Sequence, residues 1–327
     1  MSAPAGPPAS AELIPDGGVA ASDEEFFRSC PFLEAEGVTH SLRIEAGDAV
    51  LLAPVIVRDI PRSDARDAVS PYGFPGFSVR DCRIDHTGVG SIQQAPLDPA
   101  RIDWVATGLV SLFVRHTLGE PPLAGTSERN VVQLADPELP RKSRGSDRNQ
   151  VNRNRRAGYE VRLVPGPETT PEQRAGFLAA YEETMRRTGA AERYFFGGPY
   201  FDRLLESPRA WLALAHAPGG GVAAASLLVR SDGFLHYYLS GSADPWLRDS
   251  PMKNVVSTLV DFSTEQGLPL NLGGGISRGD RLEEFKRGFA NRELTWRTSE
   301  IVCDTEAYAR LSAGRAETGF FPLYRSQ

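Results

Sequence analysis

Lysine, cysteine and long apolar runs are what this 327-residue chain has least of. Its three cysteines, Cys30, Cys82 and Cys303, stand far apart and show no C-x-x-C spacing. That pattern excludes a disulfide frame and a cysteine-based zinc site, and it fits a reducing, cytoplasmic setting. The five histidines (His40, His86, His116, His216 and His236) fall at no metal-binding spacing, so no metal is expected, and with no nucleotide-binding motif no bound cofactor is expected either. No window approaches the ~20 consecutive apolar residues that cross a bilayer. The N-terminus is rich in Ala, Pro and Gly and has no basic residue ahead of an apolar core. It is therefore no secretory signal and reads as a disordered leader over residues 1–22. Among 36 basic residues only Lys142, Lys253 and Lys286 are lysine; the other 33 are arginine. A genome biased toward arginine codons explains most of this. Lysine nonetheless offers a compact ammonium where arginine offers a wide planar fork, so each remaining lysine points to a place where a fork would not fit.

What is present is ordinary for a globular protein: 41% hydrophobic and 24% charged residues, with a net charge of −6. The length suggests two domains at roughly 100–200 residues each. Residues 39–44 and 49–58 read as strands, and 130–134 as a short one. The spacing of Ile102, Val105, Leu109, Leu112 and Phe113 predicts a helix over 99–118, capped by Asp98 with Pro99 at its first position. Pro165, Gly166, Pro167 and Pro171 form the best linker, which divides the chain into domains at 23–165 and 166–327. Beyond it the pattern predicts helices at 171–187, capped by Thr170, and at 199–206, then three strands at 211–216, 221–230 and 233–240. A helix at 251–266 follows, started by Ser250 and closed by Gly267; then come a strand at 268–272, a helix at 280–287 and a strand at 293–302. Strands grouped first and then alternating with helices imply an α/β fold built on mixed sheets with helices packed over them.

Several segments can carry chemistry. Between Pro140 and Gly158 seven basic residues (Arg141, Lys142, Arg144, Arg148, Arg153, Arg155 and Arg156) face one acid, Asp147. Interleaved with Asn149, Asn152 and Asn154, they suit a phosphate partner such as tRNA, a nucleotide-linked acceptor or a phosphorylated substrate; an arginine-rich surface helix is the plainer alternative. Gly273, Gly274 and Gly275 follow a strand and precede a helix, where backbone can approach a ligand, but the run matches no nucleotide-binding motif and a tight turn serves equally. The string Arg186–Ala191 matches an acyl-CoA pyrophosphate loop in letters only, because it closes a helix instead of opening one. Tyr72, Gly73 and Phe74 lie in SPYGFPGF, whose Pro and Gly content favours a fixed loop. Tyr237, Tyr238 and Ser240 lie in HYYLSGS; strand alternation lets only one of the two tyrosines face a ligand. Asn254 either binds ligand or caps its helix. His86 is a possible base, although a surface turn explains it better, and Cys82 has no evident activating partner. Lys286, beside Phe285 and near Phe289, is either a solvated helix lysine paired with Glu283 or a charge aimed at a reacting oxygen.

Taken in order, ERYFF (192–196), HYYLSGS (236–242), LGGGISRGD (272–280), EFKRGF (284–289), SPYGFPGF and the final FFPLYR resemble the FemABX-like branch of the GNAT acyltransferases. That branch includes the peptidoglycan bridge-forming aminoacyltransferases and the aminoacyl-tRNA-dependent peptide ligases of natural-product pathways. The resemblance covers the chain after residue 25 and is densest from Tyr194 to Phe289. It implies two tandem GNAT-like domains with the acceptor bound in an inter-domain cleft, aminoacyl-tRNA as donor, and a lysine in an F-K pair that stabilises the oxyanion, carried here by Phe285 and Lys286. Tyr72, Gly73, Phe74, Tyr237, Tyr238, Ser240, Asn254, Gly274 and Gly275 are then the candidates for substrate contact, and the basic stretch for tRNA. The long helical arm of some members has no room here. An acyl-CoA-dependent GNAT N-acyltransferase and a non-catalytic tRNA- or nucleotide-binding module on the same fold are the alternatives.

Overall fold

The computed structural model describes residues 9–81 and 96–326; the candidates Cys82 and His86 lie outside the described residues. The chain divides into two units, one made of the residues up to Arg129 with those from Trp296 onward, the other of Asn130–Thr295.

The first unit contains β1 (Ala9–Ile14), α1 (Cys30–Ala35), β2 (His40–Ala46), β3 (Ala49–Asp59), β4 (Arg66–Val69), β5 (Ser78–Asp81), β6 (Ile102–Asp103) and β7 (Leu109–Arg115). Its strands lie in the order β6-β1-β2-β3-β4-β7, with β5 paired to β3. Leu42, Ile44, Ala53, Val55, Leu112 and Val114 form the centre of its core. Two expectations are corrected here. Residues 9–14, expected within the leader, form a strand paired with β2, and Ala21 is fully buried. The helix expected over 99–118 does not form. Asp98 does cap a turn, accepting from the Ala100 N–H at 3.0 Å, but that turn is a single one, and Gly108 at φ 62 separates a second short turn from β7. β7 is buried on both faces, so its apolar residues run almost unbroken and a helical spacing can be picked out of them by chance.

The second unit opens with β8 (Ser127–Ala135), whose last part belongs to it, followed by α2 (Gly145–Arg156), β9 (Glu160–Pro165), α3 (Pro171–Thr188), α4 (Gly198–Leu204), β10 (Ala210–His216), β11 (Val222–Ser231), β12 (Phe234–Ser242), α5 (Met252–Gln266), β13 (Leu270–Gly273) and α6 (Arg281–Arg287). β14 (Arg292–Val302) then returns the chain to the first unit, where it pairs with β7, and α7 (Thr305–Ser312) follows. In the second unit β9 to β12 form an antiparallel meander, β13 joins β12 in parallel, and β8 joins β13 antiparallel. α5 buries Val255, Val256, Leu259 and Val260 in a core with Ala213, Ala215, Ala224 and Leu228. α3 starts with the Thr170–Gln173 capping box and packs on β11 and β12. α5 ends at Gly267 (φ 63), but Ser250 does not cap its start: that residue is itself left-handed (φ 49) and Pro251 takes the cap position.

The boundary expected at 165/166 lies inside the second unit. Pro165 ends β9 opposite Trp211, and Gly166 is buried in the turn that leads to α3. Among the described residues no helix is long and apolar enough to cross a membrane, and no group of three His, Cys, Asp or Glu is placed to hold a metal.

Candidate active site

Lys286 lies near the end of α6. Asp280 starts that helix, its carboxylate accepting from the Glu283 N–H at 2.8 Å and from the loop N–H groups of Ile276 and Ser277 at 2.7 and 3.0 Å. Glu283, expected as the partner of Lys286, is buried and turns elsewhere: it accepts from the Gly279 N–H at 2.7 Å and pairs with Arg287. The Lys286 side chain is 9% exposed, and its Nζ donates to the Gly274 carbonyl at 2.7 Å. No carboxylate among the described residues pairs with it. Burial lowers its pKa to about 8, against the opposing pull of Asp280. The ammonium thus has one short hydrogen bond, two remaining protons and no paired acid among the described residues. Phe285 leans on the unit's core and meets Phe289 edge-on at 5.7 Å.

The site forms where two parallel strands separate. β12 and β13 pair only at Leu235–Leu270 and His236–Asn271, after which β13 turns away through the glycine run. Gly273 adopts φ +76, with its Cα open toward Nζ. A side chain on Gly274 would overlap Asn130 and the Val131 carbonyl, and the Gly275 carbonyl accepts from Asn130 Nδ2 at 3.2 Å. Gly274 is therefore required by packing on β8 and Gly275 by the close approach of Asp280 and the Ser277 carbonyl, and Gly274 also supplies the oxygen that holds Lys286. Asn130 was missed in the sequence; it lies 145 positions before its glycine partner and has no local signature.

The remaining candidates divide clearly. Tyr237 packs on the same core as Phe285, and its hydroxyl accepts from Ser240 Oγ at 2.6 Å. Burial pushes its pKa up to about 12, so it stays protonated. β12 carries a bulge at Tyr238, with Leu227 opposite Leu239 and Leu228 opposite Tyr237. The strict alternation expected for the tyrosine pair is broken there. Asn254 is buried with both amide groups committed: its oxygen accepts from Asn154 at 2.7 Å and its nitrogen donates to the Val151 carbonyl at 3.2 Å, joining α2 to α5. Tyr72, Gly73 and Phe74 belong to the first unit and pack within it. Phe74 lies between Phe27 and Trp296 with ring centres at 5.6 and 5.2 Å, Gly73 sits against the Phe27 ring, and the Tyr72 N–H donates to Glu36. The closing FFPLYR motif also has a structural role: Tyr324 and Arg325 both donate to the buried Asp67.

The basic stretch forms α2 and its approach. Arg141, Lys142, Arg144, Arg148, Arg153, Arg155 and Arg156 are all exposed. Asp261 pairs with Arg141 and Arg155, and Glu284 with Arg144, while Lys142, Arg148, Arg153 and Arg156 face no carboxylate among the described residues. Arg141, Lys142 and Arg148 line an open groove of about 560 Å³ with Leu139, Pro140, Ser143 and Asn291. The helix begins close to the lysine site, since the Arg144 N–H donates to the carbonyl of Gly288, two residues after Lys286. Asp147 is buried at that junction and receives Lys253 at 3.0 Å. Lys253→Ala strands that carboxylate and is expected to lower stability by about 1–3 kcal/mol, measured by urea denaturation, with activity falling only in proportion to unfolding. A variant as stable as the parent shows that the pair does not hold α2 to α5.

Residues 141–287 match the acetyltransferase (GNAT) domain family. Three solved structures share the fold at low sequence identity. FemX is 11% identical with a TM-score of 0.55, over 83% of this chain and 90% of its own. A C-terminal domain assigned to a lysylphosphatidylglycerol synthetase of Agrobacterium fabrum is 14% identical with a TM-score of 0.55, over 88% and 90%. L-PGS from Bacillus licheniformis is 13% identical with a TM-score of 0.51, over 80% and 82%. No curated protein matches. The chain is a mixed α/β protein, and its residues 141–287 match the GNAT acetyltransferase domain. It shares the fold of FemX and of the Agrobacterium fabrum domain, and that likeness extends over more of the chain than either unit supplies alone.

Proposed function

We propose that this protein transfers an aminoacyl group from aminoacyl-tRNA to an amine acceptor, with Lys286 as the donor that stabilises the oxyanion. The observation that carries this reading is the Lys286 ammonium: buried, unpaired by any acid among the described residues, and two residues from the carbonyl against which the basic helix begins. The acceptor nitrogen attacks the ester carbonyl, a C–N bond forms, and an electron pair moves onto oxygen. Lys286 meets that charge with a hydrogen bond that is stronger in the transition state than in the ground state. As the intermediate collapses, the C–O bond to the terminal ribose breaks and the ribose hydroxyl leaves with a proton. Neighbouring side chains are poor bases. Asp280 is held below the usual carboxylate range by backbone hydrogen bonds, that from Glu283 foremost, and Tyr237 keeps its proton. The amine proton is therefore assigned to a substrate group, such as a carboxylate on the acceptor. A small amine or peptide of natural-product biosynthesis fits as acceptor, alongside a peptidoglycan-type precursor.

The four cations of the basic stretch that face no acid among the described residues support a polyphosphate partner, because each phosphate neutralised releases counterions. Pretreatment of the donor with ribonuclease is expected to abolish product formation from charged tRNA. The variant Arg153→Gln/Arg156→Gln is expected to weaken tRNA binding and to flatten the slope of log K against log salt by about 1 for each phosphate it no longer neutralises. Activity that survives ribonuclease and runs on acyl-CoA rejects the tRNA donor. Binding without any transfer, to tRNA or to a nucleotide, favours the non-catalytic module.

A further inference from the structure

Asn271, the second residue before Gly273, folds its side chain back over the turn. Its carboxamide oxygen accepts from the Gly273 N–H at 2.8 Å, and its nitrogen meets Nδ1 of His236 at 3.1 Å. A backbone N–H can only donate, so the oxygen must face Gly273 and the NH₂ must face the ring. Nδ1 is therefore the accepting ring nitrogen, and the proton sits on Nε2, which faces the Ser231 carbonyl at 3.3 Å. Both side chains are 2% exposed, and they are partners in the last parallel pair before β12 and β13 separate. The relay ends on the left-handed glycine beside Nζ, and the carbonyl of the next residue holds the ammonium.

We propose that Asn271, held in place by His236, is the positioning residue for Lys286: it sets the Gly273–Gly274 turn and, through the Gly274 carbonyl, the direction of the ammonium. An oxyanion donor is effective only when its N–H directions are set before the reaction, because the site then has nothing left to reorganise. The imidazole suits this role. Burial takes its pKa down to about 3, so it stays neutral and keeps one tautomer at the pH of catalysis. The proposed consequence for turnover rests on the catalytic reading of Lys286, whereas the geometric claim does not.

The scarcity of lysine makes the test direct. Trace acetylation of the full chain with acetic anhydride, read peptide by peptide by mass spectrometry across pH, yields a titration midpoint for Lys286 with Lys142 and Lys253 as internal references. Asn271→Leu and the smaller Asn271→Ala remove the relay. His236→Asn keeps an acceptor oxygen where Nδ1 stands. Asp280, the carboxylate that acts on the ammonium, is unchanged in all three. In the Asn271 variants the ammonium is released toward water, and the Lys286 midpoint is expected to rise from about 8 toward the ordinary 10.5. Each unit of rise lowers labelling at neutral pH about tenfold. Turnover should fall about tenfold or more with it, as small misplacements do, and His236→Asn should hold both near the parent values. An unchanged midpoint in an Asn271 variant that only melts earlier overturns the proposal, as does a His236→Asn midpoint as high as that of Asn271→Ala. A raised midpoint with unchanged turnover upholds the positioning and rejects the catalytic role of Lys286 instead.

Discussion

Lys286→Ala is expected to lower turnover about 10²–10³-fold, the usual loss when one oxyanion donor is removed. The expectation follows from what this ammonium does not do in the resting protein. It neutralises no acid among the described residues, and its single hydrogen bond to the Gly274 carbonyl is replaceable by water once the side chain is gone. KM for the acceptor should change little, because the charge it meets develops only as the tetrahedral oxygen forms. Lys286→Arg is expected to fail nearly as badly. Its wide planar fork keeps the charge but replaces a compact ammonium that already stands 3.0 Å from where a Cβ on Gly273 would lie. Steady-state kinetics on charged tRNA checks both variants, and full activity in Lys286→Ala refutes the mechanism.

The second large effect has the opposite sign and is read in stability. Lys286 has a folded pKa of about 8 against an ordinary 10.5. A lysine whose pKa is depressed on folding favours the unfolded chain wherever both states are protonated. The cost is therefore fully present below about pH 8 and fades as pH rises toward 10.5, where both states are neutral. The shift corresponds to about 3 kcal/mol. Lys286→Met removes it while filling the same space, and the hydrogen bond forfeited at Gly274 returns about 1 kcal/mol. The net expectation is a variant about 2 kcal/mol more stable at pH 7 and inactive, with a melting temperature about 4–8 °C higher. The gain should shrink as pH is raised, which denaturation at pH 7 and at pH 10 would detect. The same titration predicts that the ammonium-dependent part of the rate disappears as pH rises through about 8. A Lys286→Met variant that is less stable at pH 7 shows that the lysine is there for packing, and the catalytic reading then loses its energetic support.

How far these features were legible depends on the distance over which each is decided. α3 and α5 were readable because their termini are marked locally, by the Thr170–Gln173 box and by Gly267. The three strands β10 to β12 were readable because turn residues separate them. Ser250 and the stretch 99–118 misled for a related reason: a serine before a helix and a helical apolar spacing are weak local signals, and a left-handed turn and a doubly buried strand overrode them. The boundary misled because a proline-rich turn between β9 and α3 looks the same in sequence as a linker between domains. The true return to the first unit is made by β14 pairing with β7, which joins residues far apart along the chain.

Lys286 stood out in the chain because lysine is scarce and because an F-K pair follows a glycine run in the order of the family it resembles. The sequence alone thus determined the mixed α/β class and the acyltransferase resemblance, and it singled out Lys286 as the residue to test, since composition, local caps and ordered motifs are properties of near neighbours along the chain. Tertiary structure decided the rest. It took Glu283 away from Lys286, turned Nζ onto the Gly274 carbonyl, and committed Asn254, Phe74 and Gly275 to packing. It also brought Asn130 and His236, distant in sequence, to the turn that Asn271 enters. Desolvation, and the choice of partner for each buried polar group, depend on which distant segments share an interior, and no local pattern encodes that.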